Sequence, residues 1–116
     1  MAKARVVHTR FWMDNYIADL DPTEKLLFLY FITNPFTDIC GIYEISLNQI
    51  AMDTGIDKEM IKKILLRFEK DNKIVYRNEW IGVKNFIKHQ ILNPKVLQGI
   101  KRCKSVAPQE ILDSLR

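Results

Sequence analysis

A chain of 116 residues, 47% hydrophobic and 28% charged, is sized for one domain with a modest core. Its longest apolar run, Leu26 to Ile32, falls far short of the roughly 18 residues a membrane span needs, and the charged N-terminus has no apolar segment and cleavage site behind it, so no membrane partner is expected. The net charge is +4, and the two cysteines, Cys40 and Cys103, lie far apart and outside any CxxC, which predicts reduced thiols and a cytoplasmic location.

Residues 1–10 form a basic arm without helical pattern, read either as a frayed terminus or as an arm that reaches phosphate. From Phe11 to Leu20 the residues Trp12, Tyr16, Ile17 and Leu20 recur at helical spacing. Asp21-Pro22-Thr23-Glu24 is a helix start: Asp21 caps, Pro22 fits the first turn and Glu24 completes a capping box. That helix runs through LLFLYFITN and stops at Asn34-Pro35. Because its run 26–32 is apolar all round, it must be covered on several sides, by the N-terminal segment, the C-terminal segment or a second subunit. It reads as the central core helix, with a homo-oligomer contact as the second reading. Gly41 to Ile45 alternates apolar and polar residues and reads as a short strand.

The stretch 46–72, SLNQIAMDTGIDKEMIKKILLRFEKDN, reads as a helix-turn-helix. A short helix, Leu47 to Thr54, carries Leu47, Ile50 and Ala51 on one face. A longer one, Lys58 to Asp71, carries Ile61, Ile64, Leu65 and Phe68 at i, i+3, i+4, i+7. Gly55 stands where the chain must bend through positive φ, and Ala51 where the helices cross. Ser46 with Gln49 suggests a capping box, Asp57 an N-cap, and Asn72 a left-handed cap in place of glycine. Residues 73–86 read as a hairpin that turns near Arg77-Asn78, the wing of a winged helix. Asn93-Pro94 opens a further helix with Val96, Leu97 and Ile100, and Pro108 a last one with Ile111, Leu112 and Leu115. The fold class expected is mainly α with a small β-hairpin: one winged helix-turn-helix domain over 1–116, with an additional C-terminal helical segment, 93–116.

Charge is distributed unevenly. Residues 14–24 hold Asp14, Asp19, Asp21 and Glu24 with no base, whereas residues 80–109 hold Lys84, Lys88, Lys95, Lys101, Arg102 and Lys104 with no acid. At 100° per residue, the outward face of the longer helix carries Glu59, Lys62, Lys63, Leu66, Arg67 and Lys70. Four cations on the helix that would enter a major groove suit DNA phosphates; a solvated helix face is the plainer reading. Base edges are read best by Arg, Asn and Gln, here Arg67 with Asn48 and Gln49 of the preceding helix, so weak sequence preference is expected. Leu66 interrupts the basic face. It could meet a thymine methyl, a partner protein or the C-terminal segment. Arg77, Asn78 and Lys73 are candidates at the wing, and Lys84 opens the basic 84–104 segment that would extend the footprint. Trp80 is read as core cover rather than a stacking platform.

No metal site or cofactor is expected, since His8, His89, Cys40 and Cys103 have no ligand spacing and Asp14, Asp19 and Asp21 suit caps and turns. No P-loop, GxSxG or paired Cys/His suggests an enzyme.

The segments FWMD, TEKLLFLYFITNP, CGIYEIS, IAMDTGI and VKNFIKHQILNPK occur in that order over about residues 10–105. In them the chain resembles the N-terminal winged-helix domain of phage replication initiation proteins, the replisome organisers of phages of Gram-positive bacteria, and the related DnaD-like primosome proteins. The resemblance implies a DNA-binding or self-association module that helps assemble a replisome at an origin. Replisome or helicase-loading proteins would be its partners, engaged through a further C-terminal region that this sequence does not contain. The rival readings are a protein-interaction module of the same machinery and a winged-helix transcriptional regulator on a palindromic site.

Overall fold

A computed structural model describes residues 4–87 and 92–115. Met1 to Lys3 of the basic arm, Lys88, His89 and Arg116 lie outside the described residues. After a 3-10 turn, Thr9–Met13, come helices α1 (Asn15–Ala18) and α2 (Pro22–Thr33), strand β1 (Ile42–Glu44), helices α3 (Leu47–Thr54) and α4 (Lys58–Lys70), strands β2 (Ile74–Arg77) and β3 (Trp80–Val83), and helices α5 (Pro94–Val106) and α6 (Gln109–Ser114). No helix is long and apolar enough to cross a membrane among the described residues.

Local chemistry accounts for most of the element ends. Asp21 and Glu24 form the reciprocal capping box at the start of α2, at 2.9 and 3.0 Å. Ser46 accepts the Gln49 amide, but the Gln49 side chain turns to Asp53 instead of back to residue 46, so the second expected box is half a box. Asp57 caps α4 by accepting the Glu59 amide, and Asn93 caps α5 by accepting that of Val96. Gly55 takes φ +76° between α3 and α4. At the end of α4, Asn72 takes φ +62° while Lys73 donates to the Phe68 carbonyl and Asn72 to that of Glu69, a Schellman closure without glycine. The hairpin turns one residue later than expected, at Asn78 and Glu79, both at positive φ as a two-residue turn matched to strand twist requires.

The β structure is larger than a hairpin. Strand β1 pairs antiparallel with β3, Ile42 opposite Gly82, giving a three-stranded sheet in the order β1-β3-β2. Its alternate residues face two different cores. Tyr43, Ile74, Ile81 and Val83 face the first, with Leu27 and Phe31 of α2, Ile50 of α3, and Ile61, Ile64, Leu65 and Phe68 of α4. Ile42 and Val75 face the second, with Ile100 and Cys103 of α5 and Ile111 of α6. Gly82 permits this second layer: a Cβ there would stand 2.8 Å from Leu115 and 3.1 Å from Ile111. The C-terminal segment is therefore not an appendage but a helical layer on the far side of the sheet, and the molecule is a small mixed α/β domain.

Two expectations change as a result. Cys40 and Cys103 do not stand as separate thiols. The layering brings their Cα atoms to 6.0 Å, and they form a disulfide across 63 residues. The central helix α2 is covered on one flank by the N-terminal segment, where Phe11 and Tyr16 pack on Phe28, but not by the C-terminal one. Leu26 stays 47% exposed on its outer strip. The N-terminal arm is docked at Arg5, which donates to the Thr37 hydroxyl at 2.9 Å and to its carbonyl at 2.8 Å.

Candidate nucleic-acid interface

Helix α4 is set by its four apolar residues, which bury one side and push the opposite side outward. Lys62, Lys63, Leu66 and Lys70 are exposed there, with Lys58 at the N-terminal end. Lys62 pairs with Glu59 at 3.3 Å, an open i, i+3 contact that a phosphate can displace at little cost. Lys63 and Lys70 make no ion pair among the described residues. Leu66 is 68% exposed in their midst and is not covered by the C-terminal segment, which lies beyond the sheet. On α3, Asn48 is exposed, while the Gln49 side chain donates to Asp53 at 2.9 Å. Asp53 also accepts from the Tyr30 hydroxyl at 2.6 Å, and this bond, then that from Gln49, lowers the carboxyl pKa.

The two arginines expected at the interface are engaged by carboxylates of this chain, although both side chains stay partly exposed. Arg67 lies on the flank of α4 that faces α2. Its Nη1 donates to both Glu24 oxygens at 2.6 and 2.7 Å, and its Nε approaches Asp71 at 3.5 Å. Glu24 is only 7% exposed, so this pair closes a desolvated carboxylate rather than a solvated one. Asp71 in turn accepts from the Tyr16 hydroxyl at 2.7 Å, and burial, with this bond, raises the phenol's pKa. One network thus ties α1, α2 and α4. Arg77 ends β2 short of the hairpin tip. It pairs with Glu69 of α4 and reaches Glu110 of α6 at 3.7 Å, clamping the hairpin to both helical layers. The hairpin tip itself presents Asn78 and Glu79, not a cation.

The basic 84–104 segment does not extend the α4 surface. Lys84 is half-buried and, with Lys73, lines a groove of about 550 Å³ beside Arg10, Phe11 and Phe28. The Lys73 ammonium sits 4.9 Å over the Tyr16 ring. Lys95, Lys101, Arg102 and Lys104 are exposed on α5, across the sheet from α4. Trp80 is half-buried against the second core, the packing expected of it. Of the residues expected at one site, the structure gathers Lys62, Lys63 and Lys70, sets Asn48 on the neighbouring helix, and places Arg67, Arg77, Gln49 and Lys84 in other roles. Lys58 joins the surface. Its position just inside the Asp57 cap was the available signal.

Protein-family models, curated proteins and solved structures contain no match to this chain.

Proposed function

We propose that the chain is a winged-helix module that binds double-stranded DNA through the outward face of α4, in the cytoplasm, as part of phage-type replication initiation, and that it works by binding rather than catalysis. The observation that carries the binding reading is the α4 face: Lys62, Lys63 and Lys70 exposed, with Lys58 on the flank of the first turn, on the second of two helices hinged at Gly55 and backed by a hairpin. The replication context rests on the family resemblance alone. A reducing cytoplasm would hold Cys40 and Cys103 as thiols, since disulfides persist in oxidising surroundings. The second core keeps apolar side chains to hold α5 in that state.

With the arginines engaged internally, the footprint is lysine-based and sequence-tolerant. Three phosphate contacts give a slope of log affinity against log salt near −2.7, hence about a fortyfold loss between about 50 and 200 mM salt. Fluorescence anisotropy with a labelled duplex measures this. Affinity that ignores salt, or that is undiminished by Lys63→Glu with Lys70→Glu, overturns the proposal.

A second reading has its own support. Leu66 at 68% and Leu26 at 47% exposure are apolar positions that a partner protein or a second copy would cover. Sedimentation separates the two readings: a stable dimer without DNA affinity favours this one.

A further inference from the structure

We infer that the exposed face of α5 is a second duplex-DNA surface, and that one copy of this chain bridges two separate duplexes. The inference rests on the α4 reading above for its first surface and adds the second.

The central residues of that face are Gln98, Lys101, Arg102 and Ser105, flanked by Lys95 and Lys104. All are exposed, and none of the four cations makes an ion pair among the described residues. No acid occurs anywhere from Trp80 to Gln109, so nothing on α5 itself offsets the charge. By contrast α4 carries Glu59 and Glu69 among its cations. The chemistry of the face selects its occupant. A protein partner needs an apolar centre to bury, and here the apolar residues Leu97 and Val106 stand at the edges. A single strand needs aromatic side chains for its bases to stack on, and α5 has none. Lys95 and Arg102, seven residues apart, line one side of the face about 10 Å or three base-pair steps from each other, and Lys101 with Lys104 line the other; cations spread in this way suit duplex phosphates.

The topology decides that this cannot be the same duplex that α4 meets. Ile61, Ile64 and Phe68 fix α4 to one face of the sheet, and Ile100 and Cys103 fix α5 to the other. The sheet lies between them, α4 packed over β2 on one face and α5 beside Ile42 of β1 on the other. The molecule is 31 Å across its shortest extent. A duplex stiff over about 150 base pairs will not fold back around so small a body.

The test uses the full chain with two short duplexes, one carrying a donor dye and one an acceptor. Energy transfer should rise on adding protein, then fall at excess, when each duplex finds its own copy. Lys101→Glu with Arg102→Glu, and separately Lys63→Glu with Lys70→Glu, should each weaken duplex affinity by anisotropy without abolishing it, since one surface remains, and should each lose the transfer. Thermal melts of both variants check that the exposed substitutions leave the fold intact. Transfer undiminished in the Lys101/Arg102 variant overturns this inference while leaving the α4 proposal standing. Binding and transfer both undiminished in the Lys63/Lys70 variant overturn the α4 reading, and the two-surface claim with it.

Discussion

Arg67 and Lys63 lie on the same helix four residues apart, yet the structure gives them opposite tasks. Arg67 neutralises Glu24, a carboxylate that α2 buries while using it as a capping residue. Removing Arg67 strands that charge, so Arg67→Ala should lower the melting temperature clearly while leaving duplex affinity within about twofold, since a phosphate contact is not being lost. Lys63→Ala should do the reverse: an unchanged melt, and a salt slope smaller by about one. Anisotropy and calorimetry on the two variants decide between these roles. Glu69 provides a second residue-level test. Its bond to Arg77 holds its carboxyl below the ordinary value of 4.5. A folded-state pKa below the unfolded one means stability that is present above about 4.5 and fades as pH falls through the lower folded value. Glu69→Gln should therefore melt below the wild type at pH 7, and the gap should close as the pH is taken progressively below about 4.5. A gap independent of pH would show that the charge of Glu69 contributes nothing.

At the level of elements, the turns carry the conformational demands. Gly55 and Gly41 both sit at positive φ, at +76° and +79°, but their surroundings differ. A Cβ at Gly55 meets nothing within 4 Å, so Gly55→Ala should cost only left-handed strain, about 1 kcal/mol. At Gly41 the same atom would lie 2.5 Å from Phe86 Cβ and 3.1 Å from the Val83 carbonyl. Strain and overpacking then add, and Gly41→Ala should cost about 3 kcal/mol or more, read by denaturant unfolding. Gly55 was legible in the sequence because it falls between two apolar helical stripes. Gly41 was not, because its constraint comes from Phe86, forty-five residues away. The helix boundaries were legible for the same local reason: Asp21, Ser46, Asp57 and Asn93 each cap within three residues of themselves. The side chains of Arg67 and Arg77 were not legible from helical angle or turn position. The one hint was charge: the acid-only stretch 14–24 needed cations from elsewhere, and Glu24 found one in α4.

For the molecule as a whole, the sheet with a helical layer on each face is the controlling feature. The disulfide joins the approach to β1 with α5 and so staples the second layer. Closing a loop of this length is worth about 2–4 kcal/mol through the unfolded chain, so Cys103→Ser should lose about that much relative to the oxidised protein. Duplex affinity through α4 should stay the same in oxidised and reduced protein, because α4 packs on the opposite face. Anisotropy of the Lys101→Glu, Arg102→Glu variant with and without reductant checks this, and a strong dependence would mean that the two layers are coupled through the sheet.

The sequence by itself determined the order of the elements, most of their ends, the bend at Gly55 and the side of α4 that is buried, because each is set by periodicity or by hydrogen bonds within a few residues. Only the tertiary structure decided that β1 joins the hairpin, that α5 and α6 cover the far face, that Cys40 meets Cys103, and that Arg67 and Arg77 pair with carboxylates of this chain while α4 and α5 lie on opposite sides of the sheet. Those outcomes depend on which distant surfaces meet, and burial at such a meeting outweighs anything a side chain prefers on its own helix.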